Sequence, residues 1–436
     1  MNPLNSIEQL IIWGGNVELI QLAGVYFLGT EEFNSSNNMM ATVVLKERID
    51  NSKLATSYRE LIVENPLLQT KIIECPEKNR FNWGRFSTEE LERRLNFEEK
   101  QLAQKYDRET ILRQYYPTNT RLPFYIAVVN DNTVVICMNH ILANGRGLVF
   151  WIQKWLQYYS GEQSVDREAV MEPGWKKSIR ILKKIGAFLW LPVFLIDFIF
   201  KSGKNATKDT VDLSYGKRPG ASNNYATKSY TINREDTEKI LRRCKQEGVT
   251  LTEYMCEILA EALLQYDQGK NRVLLSMPMD LQPLLPYSFE KTPGNLIASL
   301  PVQLFQGKDM EGQVKGVFKW FKRGIPYSLS CMLAAVSTYA KAKRHCLEMC
   351  KKTIPERTVL GNFSLTYSNL GVISYPIMEK KVDSVYFYFK SQSILLVSSS
   401  ISGKLCMEIS LSKDLYNAEK VFYLFDQALA VEYLLK

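Results

Sequence analysis

Two histidines occur in the 436 residues of this chain. One of them, His140, sits within VVICMNHILANGRGLVFW, Val134 to Trp151. An imidazole titrates near pH ~6.5 and can take a proton at neutral pH, so a histidine placed beside a substrate is a natural general base. Its position favours such use. The apolar run before it reads as a strand, and active sites of open sheets gather at carboxyl ends of strands. Gly145 then allows a tight turn, and an apolar helical pattern follows from Gly147. A hydrogen-bonded core histidine is the competing reading, and for an isolated residue it is the commoner one. The second histidine, His345, lies with Cys346 and Cys350 in KAKRHCLEMCKK. That stretch is basic and helical and supplies no fourth ligand, so it reads as a solvated helix, and no metal site is expected.

The elements that must position His140 follow from hydrophobic period. MMATVVLKERID is strand-like, and SKLATSYRELIVENP is an amphipathic helix that stops before Pro66. LLQTKIIE is the next strand. LPFYIAVVNDNTVVICMNH reads as a hairpin turning at Asn-Asp-Asn. GLVFWIQKWLQYYSG is a helix with a Ser-Gly stop. From Tyr225 onward strands and helices alternate again, with a helix capped by Thr250 or Thr252 and an amphipathic helix at the end. The expectation is an α+β protein of two similar mixed lobes: 1–163, carrying the histidine, and 225–436, joined by a linker over 164–224.

The linker holds an apolar segment, Ile185 to Phe200, interrupted by Pro192 and Asp197 and flanked by lysines. It falls short of the ~20 residues of a spanning helix. It reads either as an interfacial helix or re-entrant hairpin on an anionic leaflet, or as a linker helix packed between the lobes. The apolar fraction of 46% and charged fraction of 23% are those of a globular rather than a disordered chain. The net charge of +9 suits an anionic partner, such as a nucleotide-bearing co-substrate, an acidic carrier protein or a membrane surface. Nucleic acid is not expected, because the basic residues are scattered and no recognition motif accompanies them. The eight cysteines fit a reduced, cytoplasmic setting without disulfides, with Cys137 and Cys256 as small core residues. The amino-terminal MNPLNSIEQLIIWGG does not read as a secretory signal.

The stretch NHILANG resembles the HHxxxDG signature of the condensation-domain and CoA-dependent acyltransferase superfamily, whose lobes are similar to chloramphenicol acetyltransferase. Further segments resemble the family in the same order: ENPLLQT (Glu64–Thr70), LPFYIAVV, MPMDLQ, PGNLI and TYSNLGVI. They span nearly the whole chain. The pattern looks nearest to alcohol acetyltransferases, wax-ester and diacylglycerol acyltransferases, and polyketide-associated acyltransferases of lipid or secondary metabolism.

The resemblance implies two lobes around a central tunnel, with His140 as the general base in it. A thioester, on CoA or on the phosphopantetheine of a carrier protein, would donate its acyl group to a hydroxyl or amine of a hydrophobic acceptor. No bound cofactor is implied, and a monomer is expected, cytoplasmic, with the 185–200 segment as a candidate peripheral contact with the inner face of the membrane. Thr366, Ser368 and Asn369, in the Ser-Asn-x-Gly loop, are candidate oxyanion or substrate contacts. Asn139 stands where the signature has its first histidine, a structural position. The aspartate of the signature is Asn144 and the arginine of the Asp-x-Arg segment is Gln282. An ion pair losing both charges leaves two amides able to bond each other, so an Asn144–Gln282 contact is expected to hold the loop around Gly145. The alternative is a catalytically inactive relative that binds a carrier protein or lipid.

Overall fold

A computed structural model describes residues 38–75, 80–114, 116, 118–162, 185–197, 209–215, 224–281, 295, 297–329, 363–391 and 393–435. Gln282, the His345–Cys350 cluster and the amino-terminal stretch lie outside them.

The apolar run into His140 is strand β5 (Thr133–Asn139), every residue of which is buried. It lies between β1 (Asn38–Leu45) and β4 (Phe124–Asn130), antiparallel to both. A strand covered on both faces needs apolar residues on both. Ile136 and Met138 enter the main core of this lobe, and Val135 and Cys137 enter a second cluster behind the sheet with Tyr125 and Tyr388. A small ribbon of β2 (Thr70–Cys75) and β3 (Arg80–Arg85) stands apart.

Strand β6 (Tyr225–Ile232) belongs to the second sheet, six strands in the order β6-β12-β11-β9-β7-β8, with β7 (Arg272–Asp280), β8 (Ile297–Phe305), β9 (Leu365–Ile373), β11 (Leu395–Ile401) and β12 (Lys404–Ser412). One strand crosses over. β10 (Val382–Phe389) pairs with β1, so the first sheet runs β10-β1-β5-β4. Residues 382–389 fall within 225–436 by number, yet they complete the sheet that holds β5.

The helices are α1 (Asn51–Glu64), α2 (Thr88–Leu102), α3 (Arg108–Arg113), α4 (Gly145–Ser160), α5 over 185–197, α6 (Leu251–Tyr266) and α7 (Met310–Lys322), with others flanking the second sheet. Local chemistry fixes their ends. Asp50 accepts hydrogen bonds from the amides of Ser52 and Lys53 at the start of α1. Thr250 and Glu253 form a reciprocal capping box on α6. Gly161 ends α4 in the left-handed region at φ 64°.

The two sheets share packing. Leu395 and Val397 of β11 join the core of the first lobe, while Leu396 between them enters that of the second. Arg108 on α3 reinforces the junction. Its guanidinium donates to Thr42 Oγ1 of β1 at 2.9 Å and pairs with the Glu408 carboxylate of β12 at 2.6 Å. The Glu408 side chain is wholly buried, and Ser229 Oγ donates to its other oxygen at 2.6 Å.

Helix α5 covers residues 185–197 of the apolar segment. Leu191 and Phe194 pack into the core of the second lobe, and Trp190 and Phe194 contact Trp320 of α7. Over 185–197 the segment is one helix on the surface of that lobe, not a hairpin. No helix among the described residues is long and apolar enough to cross a membrane.

Candidate active site

His140 follows directly on β5, in a turn closed by Asn139. The Asn139 side chain accepts from the Ile141 amide at 2.9 Å, and its carbonyl accepts from the Leu142 amide at 3.0 Å. This bend turns the chain from strand to helix and directs the imidazole across the sheet edge. His140 Nδ1 lies 3.0 Å from the Ala143 carbonyl. A carbonyl can only accept, and this contact is shorter than the 3.3 Å from Nδ1 to Asn295 Nδ2, so Nδ1 carries the hydrogen and Nε2 carries the lone pair. The ring meets Phe389 of β10 edge to face, with centroids 5.0 Å apart.

Burial dominates the electrostatics. It lowers the His140 pKa to about 4, against the partial support of its backbone hydrogen bonds. The imidazole is thus neutral at pH 7, the form a general base requires.

The second lobe grips this turn at three points. Asn295, just ahead of β8, donates through Nδ2 to the His140 carbonyl oxygen. Asn144 uses both ends of its amide. Oδ1 accepts from the Gly147 amide at 2.9 Å and caps α4, while Nδ2 reaches Asp280 Oδ1, at the end of β7, at 3.3 Å. The third point is steric. A Cβ on Gly145 would lie 2.6 Å from Leu370 Cδ2 of β9.

The sequence expectation is that Gly145 allows a tight turn; its φ is not positive. It is the first residue of α4, and its lack of a side chain admits Leu370. Across the junction Asn144 reaches Asp280; the expected contact with Gln282 lies outside the described residues.

Leu370 reaches Gly145 because β9 is bulged. The register between β9 and β11 slips where Leu370 and Gly371 stand opposite Ser399, and Gly371 takes φ 75°. Asn369 secures the bulge, accepting from the Gly371 amide at 2.8 Å and donating to Thr252 Oγ1 on α6 at 2.9 Å. Its amide therefore serves the loop, not an open substrate position. Thr366 Oγ1 lies 2.8 Å from Ser393 Oγ. Ser368 shares the Thr366 side of the strand, away from the buried Leu365 and Tyr367. Of the expected residues, His140, Asn139, Asn144 and Gly145 form one continuous unit, and Asn369 is linked to it through Leu370.

Asn295, Asp280 and Phe389 were not singled out as site residues from sequence. The first two lie inside PGNLI and MPMDLQ, so the segments were visible but not the contacts. Phe389 carried no sequence signal, because its approach depends on β10 crossing into the first sheet. Among the described residues no group of His, Cys, Asp and Glu side chains could hold a metal ion.

No protein-family model and no curated protein matches the sequence. Solved structures do match. The epimerization domain from the third module of tyrocidine synthetase B is 12% identical, covering 96% of this chain and 98% of its own at a TM-score of 0.58. A mutant of the starter condensation domain of rhizomide synthetase RzmA, in complex with C8-CoA, is 12% identical, covering 94% and 92% at 0.59. The trichothecene 15-O-acetyltransferase TRI3 from Fusarium sporotrichioides is 9% identical, covering 96% and 95% at 0.63. Matches that span whole chains on both sides exclude a shared fragment. The chain therefore has the two-lobed α+β fold of these condensation, epimerization and acetyltransferase proteins, the fold that its motif order implied.

Proposed function

We propose that the protein is an acyltransferase of the condensation-domain and CoA-dependent acyltransferase superfamily. It moves an acyl group from a thioester, on CoA or carrier-bound phosphopantetheine, to a hydroxyl or amine of a hydrophobic acceptor. The observation that carries this reading is His140 itself: a buried, neutral imidazole with Nδ1–H bound to the Ala143 carbonyl, at the junction of two lobes with this fold.

His140 Nε2 takes the proton of the acceptor O–H or N–H, approaching that heteroatom to ~3 Å. The heteroatom attacks the thioester carbonyl carbon and forms a tetrahedral oxyanion. Collapse breaks the C–S bond, and the thiolate leaves as free thiol with the proton returned from the imidazolium. No acyl-enzyme forms. The oxyanion requires a preorganised donor, and Ser368 is the best-placed of the three expected residues, since Asn369 and Thr366 have internal partners. C8-CoA bound to the rhizomide synthetase domain is a precedent for a CoA thioester in such a fold.

Purified protein offered a panel of acyl-CoAs and acceptors should release free thiol. His140→Ala should lose about 10²–10⁴-fold in kcat while still binding the thioester. Undiminished turnover in that variant would remove His140 as the base. Tight thioester binding without thiol release across the panel would instead favour the non-catalytic reading, which the missing signature aspartate at Asn144 keeps in play.

A further inference from the structure

Helix α5 is buried along one face only. Leu191 and Phe194 face the second lobe and Ala187 is buried, but Ile185, Leu189, Val193 and Ile196 are 47%, 72%, 45% and 55% exposed. These four recur at intervals of four, four and three residues, so they form one continuous stripe. A helix on a protein surface ordinarily sets polar residues on its outer face. Here that face is apolar.

The rim of the stripe has a definite chemistry. Trp190 is 40% exposed and stands 6.1 Å from Trp320 of α7. The Arg323 guanidinium lies 3.9 Å over the Trp190 ring, and Lys319 of α7 is exposed beside it. In the sequence Lys183 and Lys184 precede the helix, and Lys201 and Lys204 follow it. An apolar stripe bordered by tryptophan and cations matches a bilayer interface, where acyl chains accept the stripe, indole rings sit at headgroup depth and anionic headgroups meet the cations. Thirteen residues at ~1.5 Å rise span roughly 20 Å, less than the ~30 Å hydrocarbon core, so such a helix lies in the interface plane.

We propose that α5, with the Trp320–Arg323 end of α7, is a docking face for an anionic lipid surface. It is independent of the acyl-transfer reading, since none of these residues belongs to the His140 unit. A protein partner would be served by the apolar stripe alone, whereas the cationic rim is explained by headgroups.

The full chain should co-sediment with phosphatidylcholine vesicles containing phosphatidylglycerol, and far less with phosphatidylcholine alone or at high salt. Leu189→Glu combined with Val193→Glu should weaken that partitioning by about tenfold or more, by removing buried apolar area and adding repulsion. The melting temperature should not change, because both side chains face outward. The proposal is overturned if the chain ignores anionic vesicles, or if the double variant binds them as well as the parent. It is equally overturned if the double variant melts several degrees lower, which would mean that another part of the chain covers the stripe. A dimer that becomes monomeric in the variant, without vesicle binding in the parent, would assign the face to a second copy.

Discussion

Asn144 Nδ2 lies 3.3 Å from Asp280 Oδ1 while Asn144 Oδ1 caps α4 through the Gly147 amide. One amide thus serves as acceptor toward its own helix and donor toward the other lobe. A carboxylate at 144 could still cap the helix but would face Asp280 with like charge. The absence of the signature aspartate is therefore consistent with a working loop.

From this contact, Asn144→Asp should destabilise the protein by about 1–3 kcal/mol at neutral pH and lower kcat, with part of the loss recovered below the carboxylate pKa range. Asn144→Ala should lose both bonds, at a similar cost, but without the recovery at low pH. Thermal melts of both variants at pH 7 and pH 4 distinguish the two; parallel curves would refute the like-charge account.

His140 should not set the acid limb of activity near its ordinary pKa. Burial holds it at about 4, so the basic form persists through pH 5 and 6, and kcat/KM should fall only as pH approaches 4. The same shift affects stability. Between its folded value of about 4 and its unfolded value of 6.5, the unfolded state binds the extra proton, so this contribution to stability is lost as pH falls through that window. A kcat/KM profile breaking at 6.5 would contradict the burial argument.

In the proposed mechanism Asn295 acts through His140, as a positioning residue. Asn295→Ala should lower kcat by roughly tenfold with little change in KM, as the grip on the His140 carbonyl is lost. Asn295→Asp should also raise the His140 pKa, moving the acid limb of kcat/KM upward. A purely structural role would leave that limb in place.

Gly145→Ala should force Leu370 aside, since the new Cβ would fall 2.6 Å from Leu370 Cδ2. The expected cost is about 1–3 kcal/mol. Combining it with Leu370→Ala should cost less than the sum of the two single changes, because the added methyl fills the space the leucine leaves. Strict additivity in a double-mutant cycle would rule out the contact.

Lys390 provides a test at alkaline pH. It is wholly buried at the end of β10, donating to the carbonyls of Arg113 and Gln114 at 3.0 and 2.8 Å, and burial lowers its pKa to about 8. Between 8 and the ordinary 10.5 the unfolded chain holds the proton that the folded chain has released, so stability from this group rises with pH. Relative to Lys390→Met, the parent should gain on the order of 3 kcal/mol between pH 7.5 and 10.5 by denaturant titration. A constant difference across that range would exclude the shift.

Much of this was legible in the sequence because it is local. Apolar period alone marks β5 as a strand buried on both faces, the Asn-Asp-Asn turn marks the hairpin, and Pro66 and Gly161 mark helix ends. The order of short motifs implied two lobes and singled out His140. Other parts were illegible because they depend on partners distant in sequence. Nothing in residues 382–389 says that they leave the second lobe for the first sheet, and without that crossing Phe389 has no reason to meet His140. Gly145 looked like a turn residue because glycine's usual reason is φ; its reason here is a leucine more than two hundred residues away.

By itself, then, the sequence determined which strand delivers the histidine and which residues bend the chain behind it, since strand period, turn chemistry and helix capping act over a few residues. The tertiary structure decided what holds that histidine. The burial that keeps it neutral, the amides of Asn295 and Asn144 that tie it to the other lobe, and the bulge that seats Leu370 on Gly145 are all long-range contacts, and their energies exist only once both sheets have packed.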